Sequence, residues 1–323
     1  MRKISLLLLA VCLVASCNRQ ASMHVSDDGD SLTLLCGDSP ILTYQYSVTP
    51  APHGARDVFA RGGYIHPACT PSGFVLTRIQ PKDHLHHYGI WNPWTHVVYD
   101  GRLYDLWNLG DSLGTVRPHA VDAVYEGKRS CGFDASLDHV AFTPEGEKVI
   151  LDEQWRVRAT RVPEGFLWDF ESILRPAAGK TVTIQAYRYQ GLSIRANGCW
   201  DRNNSMMMTS EGLERPDIDG SRARWIYMVG ETGPSETAGF LMMSHPDNQQ
   251  FPEPLRIWNE EANGGEENVF VNFCPAKNQD WVLEPGKEYK LLYRFLAFDG
   301  SMDQDTAERL WKDFCSTNNL IGK

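Results

Sequence analysis

The fold of this chain is limited above all by its many short β-prone segments, each of which ends at glycine, proline or another turn-forming residue. One of them, at residues 155–160, alternates apolar and polar residues as a strand with one solvated face does. No repeat or low-complexity block interrupts the series after the N-terminal region. The strands predicted from this pattern are residues 31–35, 41–46, 64–67, 74–77, 115–125, 149–161, 167–174, 182–189, 222–229, 239–244, 256–258 and 289–298.

One segment near the C-terminus has clear helical character. Residues 303–316 begin with acidic side chains and place Leu310, Trp311 and Phe314 on one apolar stripe. A hydrophobic content of 42% is enough for a large core. We therefore predict an all-β protein, a single large antiparallel β-sandwich over residues 29–323 with a C-terminal helix.

The N-terminal residues have the pattern of an export signal. Arg2 and Lys3 precede an apolar run over residues 4–14, which is too short for a membrane span and ends in small residues before Cys17, as a bacterial lipobox does. We expect a lipoprotein signal peptide at residues 1–16, lipidation of Cys17 and a flexible tether at residues 17–28. The protein would then be lipid-anchored in the cell envelope, in the outer membrane or facing the periplasm. An ordinary secretory signal with a chance cysteine is the alternative.

The net charge limits the classes of molecule that the protein is expected to bind. A formal charge of −10 argues against nucleic acid, whose phosphates bind basic surfaces. We expect a small-molecule or oligosaccharide ligand, and membrane contact only through the lipid anchor.

Export permits disulfides, but widely spaced cysteines also suit isolated buried thiols, so both readings stay open. The cysteines concerned are Cys36, Cys69, Cys131, Cys199, Cys274 and Cys315.

A histidine-rich run at residues 81–91 is the first candidate site. It contains three of the ten histidines within four positions, His84, His86 and His87, directly after Asp83. Imidazole titrates near neutrality and can donate or accept a proton, so we take His86 and His87 as catalytic candidates and Asp83 as a binding residue. If the run is extended, His84 and His86 share one face and His87 points to the other.

Aromatic residues and a further histidine follow this run. Trp91 and Trp94 are predicted to bind ligand, because the C–H face of a sugar ring packs on an aromatic ring while its hydroxyls meet imidazoles and carboxylates. A metal site is the alternative, although HExxH and standard zinc spacings are absent, and we expect no cofactor. The metal ligands in that alternative would be His84, His86, His87 and His96.

A second polar region at residues 189–225 is expected to meet the first from another strand. Arg195 and Glu211 stand between apolar and small residues, which favours a site. For Arg222 and Arg224, an ion-pair network that braces a loop is an equal alternative, because two adjacent guanidinium groups require carboxylates or an anionic ligand. The candidates in this region are Arg195, Glu211, Arg215, Asp219, Arg222 and Arg224, and His245 ends the predicted strand 239–244.

Several motifs together resemble the DUF6807 family, over about residues 40–300. They lie at residues 70–73, 83–90, 105–110, 189–195, 210–225, 244–246 and 293–300. The family is often labelled "methane oxygenase PmoA", but membrane methane oxygenase subunits need apolar spans, and none follows the signal here. Family members usually have arginine after the paired histidines, where this chain has Tyr88.

The resemblance implies a supersandwich similar to galactose mutarotase, and it supports the candidates by motif: Asp83, His86, His87, Arg195, Glu211, Arg215, Asp219, Arg222, Arg224 and His245. The resulting hypothesis is an exported, lipid-anchored enzyme that acts on a saccharide or sugar derivative by histidine and carboxylate acid–base chemistry. His86 or His87 would act with Glu211 or His245, in a hydrolysis, elimination or epimerisation. The alternatives are a non-catalytic glycan-binding lipoprotein and a metal-dependent oxygenase.

Overall fold

The computed structural model describes residues 22–177, 179–259 and 269–316. The predicted signal peptide and Cys17 lie outside these residues. The described strands are β1 Met23–Asp27, β2 Ser31–Cys36, β3 Ser39–Gln45, β4 Tyr64–Ala68, β5 Ile90–Trp91, β6 Val97–Tyr99, β7 Arg102–Tyr104, β8 Gly114–Tyr125, β9 Ser130–Thr143, β10 Gly146–Val162, β11 Gly165–Pro176, β12 Val182–Ile184, β13 Ser193–Arg195, β14 Ser205–Thr209, β15 Arg222–Ala223, β16 Trp225–Gly233, β17 Glu236–Ser244, β18 Glu253–Ile257, β19 Phe270–Phe273, β20 Trp281–Leu283 and β21 Tyr289–Asp299. The helices are α1 Arg215–Ile218 and α2 Gln304–Ser316, with 3₁₀ turns at Asp57–Phe59 and Leu109–Asp111.

The strands that the structure describes form three antiparallel sheets. The first has the order β1-β2-β3-β4-β5-β13-β19-β18-β15, and the second has the order β14-β16-β17-β21-β11-β10-β9-β8. A smaller sheet, β20-β12-β6-β7, lies beside them. The prediction of a large antiparallel β-sandwich is therefore confirmed.

The main core lies between the two large sheets, and a second, aromatic cluster lies on the outer face of the nine-stranded sheet. In its central strands, Ile90, Ile194 and Val271 belong to the main core. Their strand neighbours Trp91 and Phe270 belong to the other cluster. Because consecutive side chains of a strand point to opposite faces, this second cluster faces away from the core.

Helix α2 covers the outer face of the eight-stranded sheet. Trp225 and Met243 of that face pack with Leu310 and Phe314 of the helix, whereas Ile226 lies in the main core. The predicted helix at residues 303–316 is confirmed, and its apolar stripe buries against the sheet. Among the described residues, no helix is long and apolar enough to cross a membrane.

The structure departs from several predicted boundaries. The predicted tether at 17–28 overlaps β1, which pairs with β2 from Met23 to Asp27, so the sheet begins earlier than expected. The predicted strand at 74–77 makes only isolated bridges, and the one at 182–189 ends at Ile184. Strand β9 was not predicted, because Asp134 and Asp138 disfavour a strand. The residues between them nevertheless alternate between buried and partly exposed side chains.

The cysteines of the described residues are free thiols. Cys69, Cys131 and Cys274 are buried, and burial raises the pKa of each thiol. The reading as isolated buried thiols therefore fits the structure, and that of a disulfide framework does not.

Candidate active site

The three histidines lie on a loop closed like a hairpin. Ile79 bridges Tyr88, and the amide of Gln80 donates to the carbonyl of His87 at 2.8 Å. Within the loop, two successive turns form because the amide of His84 bonds the carbonyl of Pro81 and that of His87 bonds the carbonyl of His84, each at 3.0 Å. The expectation of an extended run with His87 on the opposite face is therefore wrong.

The turns bring all three imidazole rings together. Ring centroids are 5.4 Å apart for His84 and His86, 4.7 Å for His84 and His87, and 4.9 Å for His86 and His87. His84 also contacts Trp258 at 4.7 Å, and His87 stacks on Phe270 at 5.2 Å. The loop thus docks on the aromatic cluster of the nine-stranded sheet.

Asp83 orients the first of these rings. One oxygen of Asp83 lies 2.9 Å from Nδ1 of His84 and 2.7 Å from Nη2 of Arg195, a fully buried side chain on β13. Although partial burial opposes it, the hydrogen bond from His84 and the charge of Arg195 hold the pKa of Asp83 well below its usual value. An ionised carboxylate only accepts, so His84 donates through Nδ1 and leaves Nε2 for other contacts.

The other two rings are held neutral at pH 7. Burial lowers the pKa of His86 to about 4, and the neighbouring His84 and Arg195 act in the same direction. Burial also lowers the pKa of His87 well below its usual value, and His87 is 3% exposed. Neutral imidazole carries a free lone pair, so His86 can accept a proton at neutral pH.

These side chains open on a pocket of about 140 Å³ at the outer face of the nine-stranded sheet. Its wall combines imidazoles, aromatic rings and arginines from separate parts of the chain. The lining residues are His84, His86, His87, Trp107, Asn108, Arg188, Tyr189, Arg256, Trp258 and Phe270. The pocket is small beside the roughly 300–1,000 Å³ of typical sites for drug-sized ligands, so its size suits one sugar ring.

A tight corner after β7 positions one wall of the pocket. Oδ1 of Asp105 accepts from the amides of Trp107 and Asn108 at 2.8 and 2.7 Å, and Oδ2 accepts from the Asn108 amide group at 2.6 Å. Oδ1 of Asn108 then accepts from the Tyr189 hydroxyl at 3.1 Å. These bonds fix the polar edges of Asn108 and Tyr189 beside the ring of Trp107.

Two members of the predicted second region reach the pocket indirectly. Arg195 lies with its guanidinium carbon 4.3 Å from the Trp258 ring centroid. Asp219 accepts from Nη1 of Arg256, a lining residue, at 2.6 Å and from the amide of Ile257 at 3.1 Å. Arg195 and Asp219 therefore support lining residues, together with Asp83.

The two tryptophans predicted as binding surfaces are buried. Trp91 is fully enclosed in the aromatic cluster beneath His87, at a centroid distance of 5.0 Å. Trp94 packs on Trp281 at 5.7 Å and belongs to the main core. The prediction that they contact ligand is wrong, because Trp91 is covered by the aromatic cluster and Trp94 packs in the main core.

Three other candidates lie near helix α2 and away from the pocket. Arg224 pairs with Glu308 of α2 at 2.8 Å and with Glu211 at 3.5 Å, and the ring of His245 contacts Phe314 of α2. Helix α2 covers the outer face of the eight-stranded sheet, on the other side of the core from the pocket. Glu211, Arg224 and His245 therefore do not converge with the histidine loop.

Arg222 and Arg215 also have structural roles. Arg222 donates to the carbonyls of Gln250 and Pro252, which fits the loop-bracing alternative. Arg215 is buried at the start of α1, where Nη2 lies 2.6 Å from the Ser205 hydroxyl. Neither side chain lines the pocket.

The ligands proposed for a metal are not assembled as a set. The ring of His96 packs on the ring of Tyr187, with 3.9 Å between their centroids, and is not in contact with the other three histidine rings. Within residues 22–177, 179–259 and 269–316, no group of three His, Cys, Asp or Glu side chains is arranged to hold a metal ion.

Sequence reasoning missed several lining residues. Trp107, Asn108 and Tyr189 lie within family-like motifs, at residues 105–110 and 189–195, and that signal could have identified them. Arg256 and Trp258 were treated only as part of a strand, and the sequence around them gives no local sign of a site. His84 was assigned only to the metal alternative, although it is the histidine that Asp83 orients.

Comparison with known proteins gives a family and distant structural relatives. No curated protein matches the sequence. The galactose mutarotase related enzyme from Lactobacillus acidophilus is 10% identical, with 85% of this chain and 97% of that chain covered at a TM-score of 0.40. A galactose mutarotase-like protein from Lactobacillus casei is 9% identical, with 85% and 99% covered at 0.40. Heparan sulfate lyase HepC from Pedobacter heparinus is 9% identical, with 88% of this chain but only 36% of the lyase covered at 0.36.

The family match covers most of the chain. The matching description is "Family of unknown function (DUF6807)", and it spans residues 31–312, which include the whole pocket and every strand of the two large sheets except β1. The protein therefore belongs to the DUF6807 family.

Proposed function

We propose that the protein is an exported, lipid-anchored enzyme that acts on a saccharide through a pair of histidines. The observation that carries the proposal is the contact of Asp83 with Nδ1 of His84 at the edge of a pocket that also contains His86. A carboxylate that orients one imidazole, beside a second imidazole whose pKa is lowered by burial, is an arrangement suited to proton transfer.

The two histidines take opposed roles. Asp83 fixes His84 so that Nε2 faces away from the carboxylate, and its negative charge can balance an imidazolium that forms at His84 during turnover. His86 is neutral at pH 7 because its pKa is lowered to about 4, so it accepts a proton. Hydrolysis, elimination and epimerisation all need one donor and one acceptor, and His84 replaces Glu211 and His245 as partner.

The remaining wall suits a sugar ring. Tyr189 and the edge of Trp258 offer aromatic surface for the C–H face of a pyranose, and Asn108 offers an amide beside them. The pocket volume of about 140 Å³ favours a single sugar residue, for example the end of a chain. Cleavage or modification of a terminal sugar residue is therefore the form of the activity that we favour.

Turnover on a panel of glycans and monosaccharide derivatives tests the proposal. We expect product with the wild-type protein, and a loss of about 10²–10⁴-fold in kcat/KM for His84→Gln and for His86→Gln with unchanged melting temperatures. His119→Gln removes an exposed histidine of β8 and should retain full activity. Normal turnover by both pocket variants would refute the acid–base pair.

A glycan-binding protein without chemistry is the second candidate, and the aromatic wall of the pocket favours it. Binding of a glycan with no product after long incubation would establish it instead. A metal-dependent activity would be indicated by a stoichiometric metal in elemental analysis of the purified protein. Anchoring is tested by Cys17→Ser, which should move the protein from the membrane fraction to the soluble fraction.

A further inference from the structure

We infer that the saccharide bears an anionic group, a carboxylate or a sulfate ester, and that Arg188 binds this group at the exposed edge of the pocket. The inference rests on the proposed function and specifies its substrate class. Its starting point is the charge of the wall: among the lining residues that the structure describes, two are arginines and three are histidines, and none is a carboxylate.

The arginines around the pocket differ in their partners. Arg256 pairs with Asp219 at 2.6 Å, and Arg195 behind the wall pairs with Asp83 at 2.7 Å, so a protein carboxylate balances each charge. Arg188 is exposed, and within the described ranges no carboxylate lies at ion-pair distance from it. Arg188 thus contributes an unbalanced positive charge to the pocket.

The guanidinium of Arg188 is held by aromatic rings. Its central carbon lies 5.3 Å from the ring centroid of Tyr189, a lining residue, and 5.9 Å from that of Tyr187. Contacts of this kind limit the rotamers of a long side chain and leave its N–H groups available. A planar guanidinium group held in this way is suited to form two parallel hydrogen bonds with a carboxylate or a sulfate.

A lysine adds to the positive charge of this edge. Nζ of Lys277 donates to the backbone carbonyl of Arg188 at 2.9 Å. Burial lowers the pKa of Lys277, and the positive charges of Arg256 and Arg188 lower it further. Lys277, Arg188 and Arg256 therefore lie close enough to repel one another, and Asp219 offsets part of this charge, in a protein whose formal net charge is −10. An anionic ligand would relieve their mutual repulsion.

The residue that directly follows the paired histidines does not supply this contact. Tyr88 is fully buried, its hydroxyl donates to the Phe59 carbonyl, and it does not line the pocket. Arg188 comes from a different segment, between β12 and β13, so the anion contact is built from residues that the histidine motif does not include.

Calorimetric titration with matched sugar derivatives tests the inference. Methyl glycosides of glucose, galactose and mannose are compared with their uronic acids and with their 6-sulfates. We expect the preferred anionic form to bind about 10–100-fold more tightly than its neutral counterpart at low salt, and the preference to shrink as salt is added. The uronic acid and sulfate arms identify which anion is recognised.

Variants assign the preference to one residue. Arg188→Gln should reduce affinity for the anionic sugar about 10-fold or more and leave affinity for the neutral sugar nearly unchanged. Arg129→Gln is the matched control, since it removes an exposed arginine from the β8–β9 turn, and it should bind like wild type. Equal binding of neutral and anionic sugars, or an unchanged preference in Arg188→Gln, would overturn this inference alone. If no sugar of any arm bound, the proposed function would fall with it.

Discussion

The contact between Asp83 and His84 gives the sharpest test of the site. In Asp83→Asn, the same oxygen position would still face two donors, Nδ1 of His84 at 2.9 Å and Nη2 of Arg195 at 2.7 Å. Asparagine can place its carbonyl oxygen there, so the hydrogen bonds can persist while the negative charge is lost. The substitution therefore separates the charge of Asp83 from its geometry.

The expected effects differ in size for stability and catalysis. A hydrogen bond to an ionised group contributes roughly 1 kcal/mol more than one between neutral groups, so two bonds give about 2 kcal/mol. Because 27% of the Asp83 side chain is exposed, solvent screening reduces this to about 1–2 kcal/mol. The pKa of Asp83 is held low, so its contribution is present above the unfolded value of 3.8 and is complete at pH 7. The loss in kcat/KM should be larger, about 10²-fold or more, since an imidazolium that forms at His84 during turnover would no longer face a carboxylate.

Urea unfolding at pH 7 and steady-state kinetics measure both quantities. The pair of Asp138 and His119 on β9 and β8 offers a matched control: the contact is 3.1 Å to Nδ1, and 26% of the Asp138 side chain is exposed. Asp138→Asn should leave kcat/KM unchanged. If Asp83→Asn stayed folded and turned over substrate at the wild-type rate, the role assigned to the carboxylate would be refuted.

Three further outcomes follow from the structure. The acid limb of kcat/KM should lie near pH 4, because burial lowers the pKa of His86 to about 4 and a base must be deprotonated; a limb near 6.5 would exclude His86 as that base. Burial raises the pKa of Glu253 from 4.5 to about 7, so its contribution to stability is complete below pH 4.5 and is lost as pH rises through 7. The free energy of unfolding of wild type minus that of Glu253→Gln should thus fall by about 3 kcal/mol over this range in urea titrations, and a flat difference would contradict the burial argument. Gly89→Ala should destabilise by more than about 2 kcal/mol in thermal unfolding, because a Cβ would lie 2.2 Å from the Ile65 carbonyl oxygen at a φ of +50°. Gly286→Ala, with a φ of +77° and no atom within 4 Å, should lose only about 1 kcal/mol, and equal losses would contradict the clash.

The sheet architecture was accessible from sequence because it depends on local patterns. Strand β10 alternates buried Trp155 and Val157 with partly exposed Arg156 and Arg158, and this period of two can be read directly. The histidine run was identified for a related reason, since its composition suits a site better than a core. Its conformation was not accessible, because two successive turns and an extended strand place the same residues very differently.

Which residues meet at the pocket depends on the order of the strands in the sheet, and the local sequence does not encode this order. Asp83 and Arg195 are 112 positions apart in the sequence, and they come into contact because β5 pairs with β13. Trp258 joins them because β18 follows β19 in the sheet. Arg224 instead meets Glu308, 84 positions later, because β16 lies under α2. Sequence proximity grouped Arg195 with Arg224, whereas the sheets separate them.

The partners of each arginine indicate whether it supports the pocket wall or is available to bind ligand. A buried guanidinium needs a protein carboxylate in the absence of ligand, and Arg195 has one in Asp83. An arginine that recognises a charged ligand is better left exposed and held by groups without charge, since a fixed carboxylate would compete with the ligand. Arg188, held against Tyr187 and Tyr189 at the pocket edge, meets that condition among the described residues. The same reasoning makes the proposed anion preference depend on Arg188, and the orientation of His84 depend on Arg195 through Asp83.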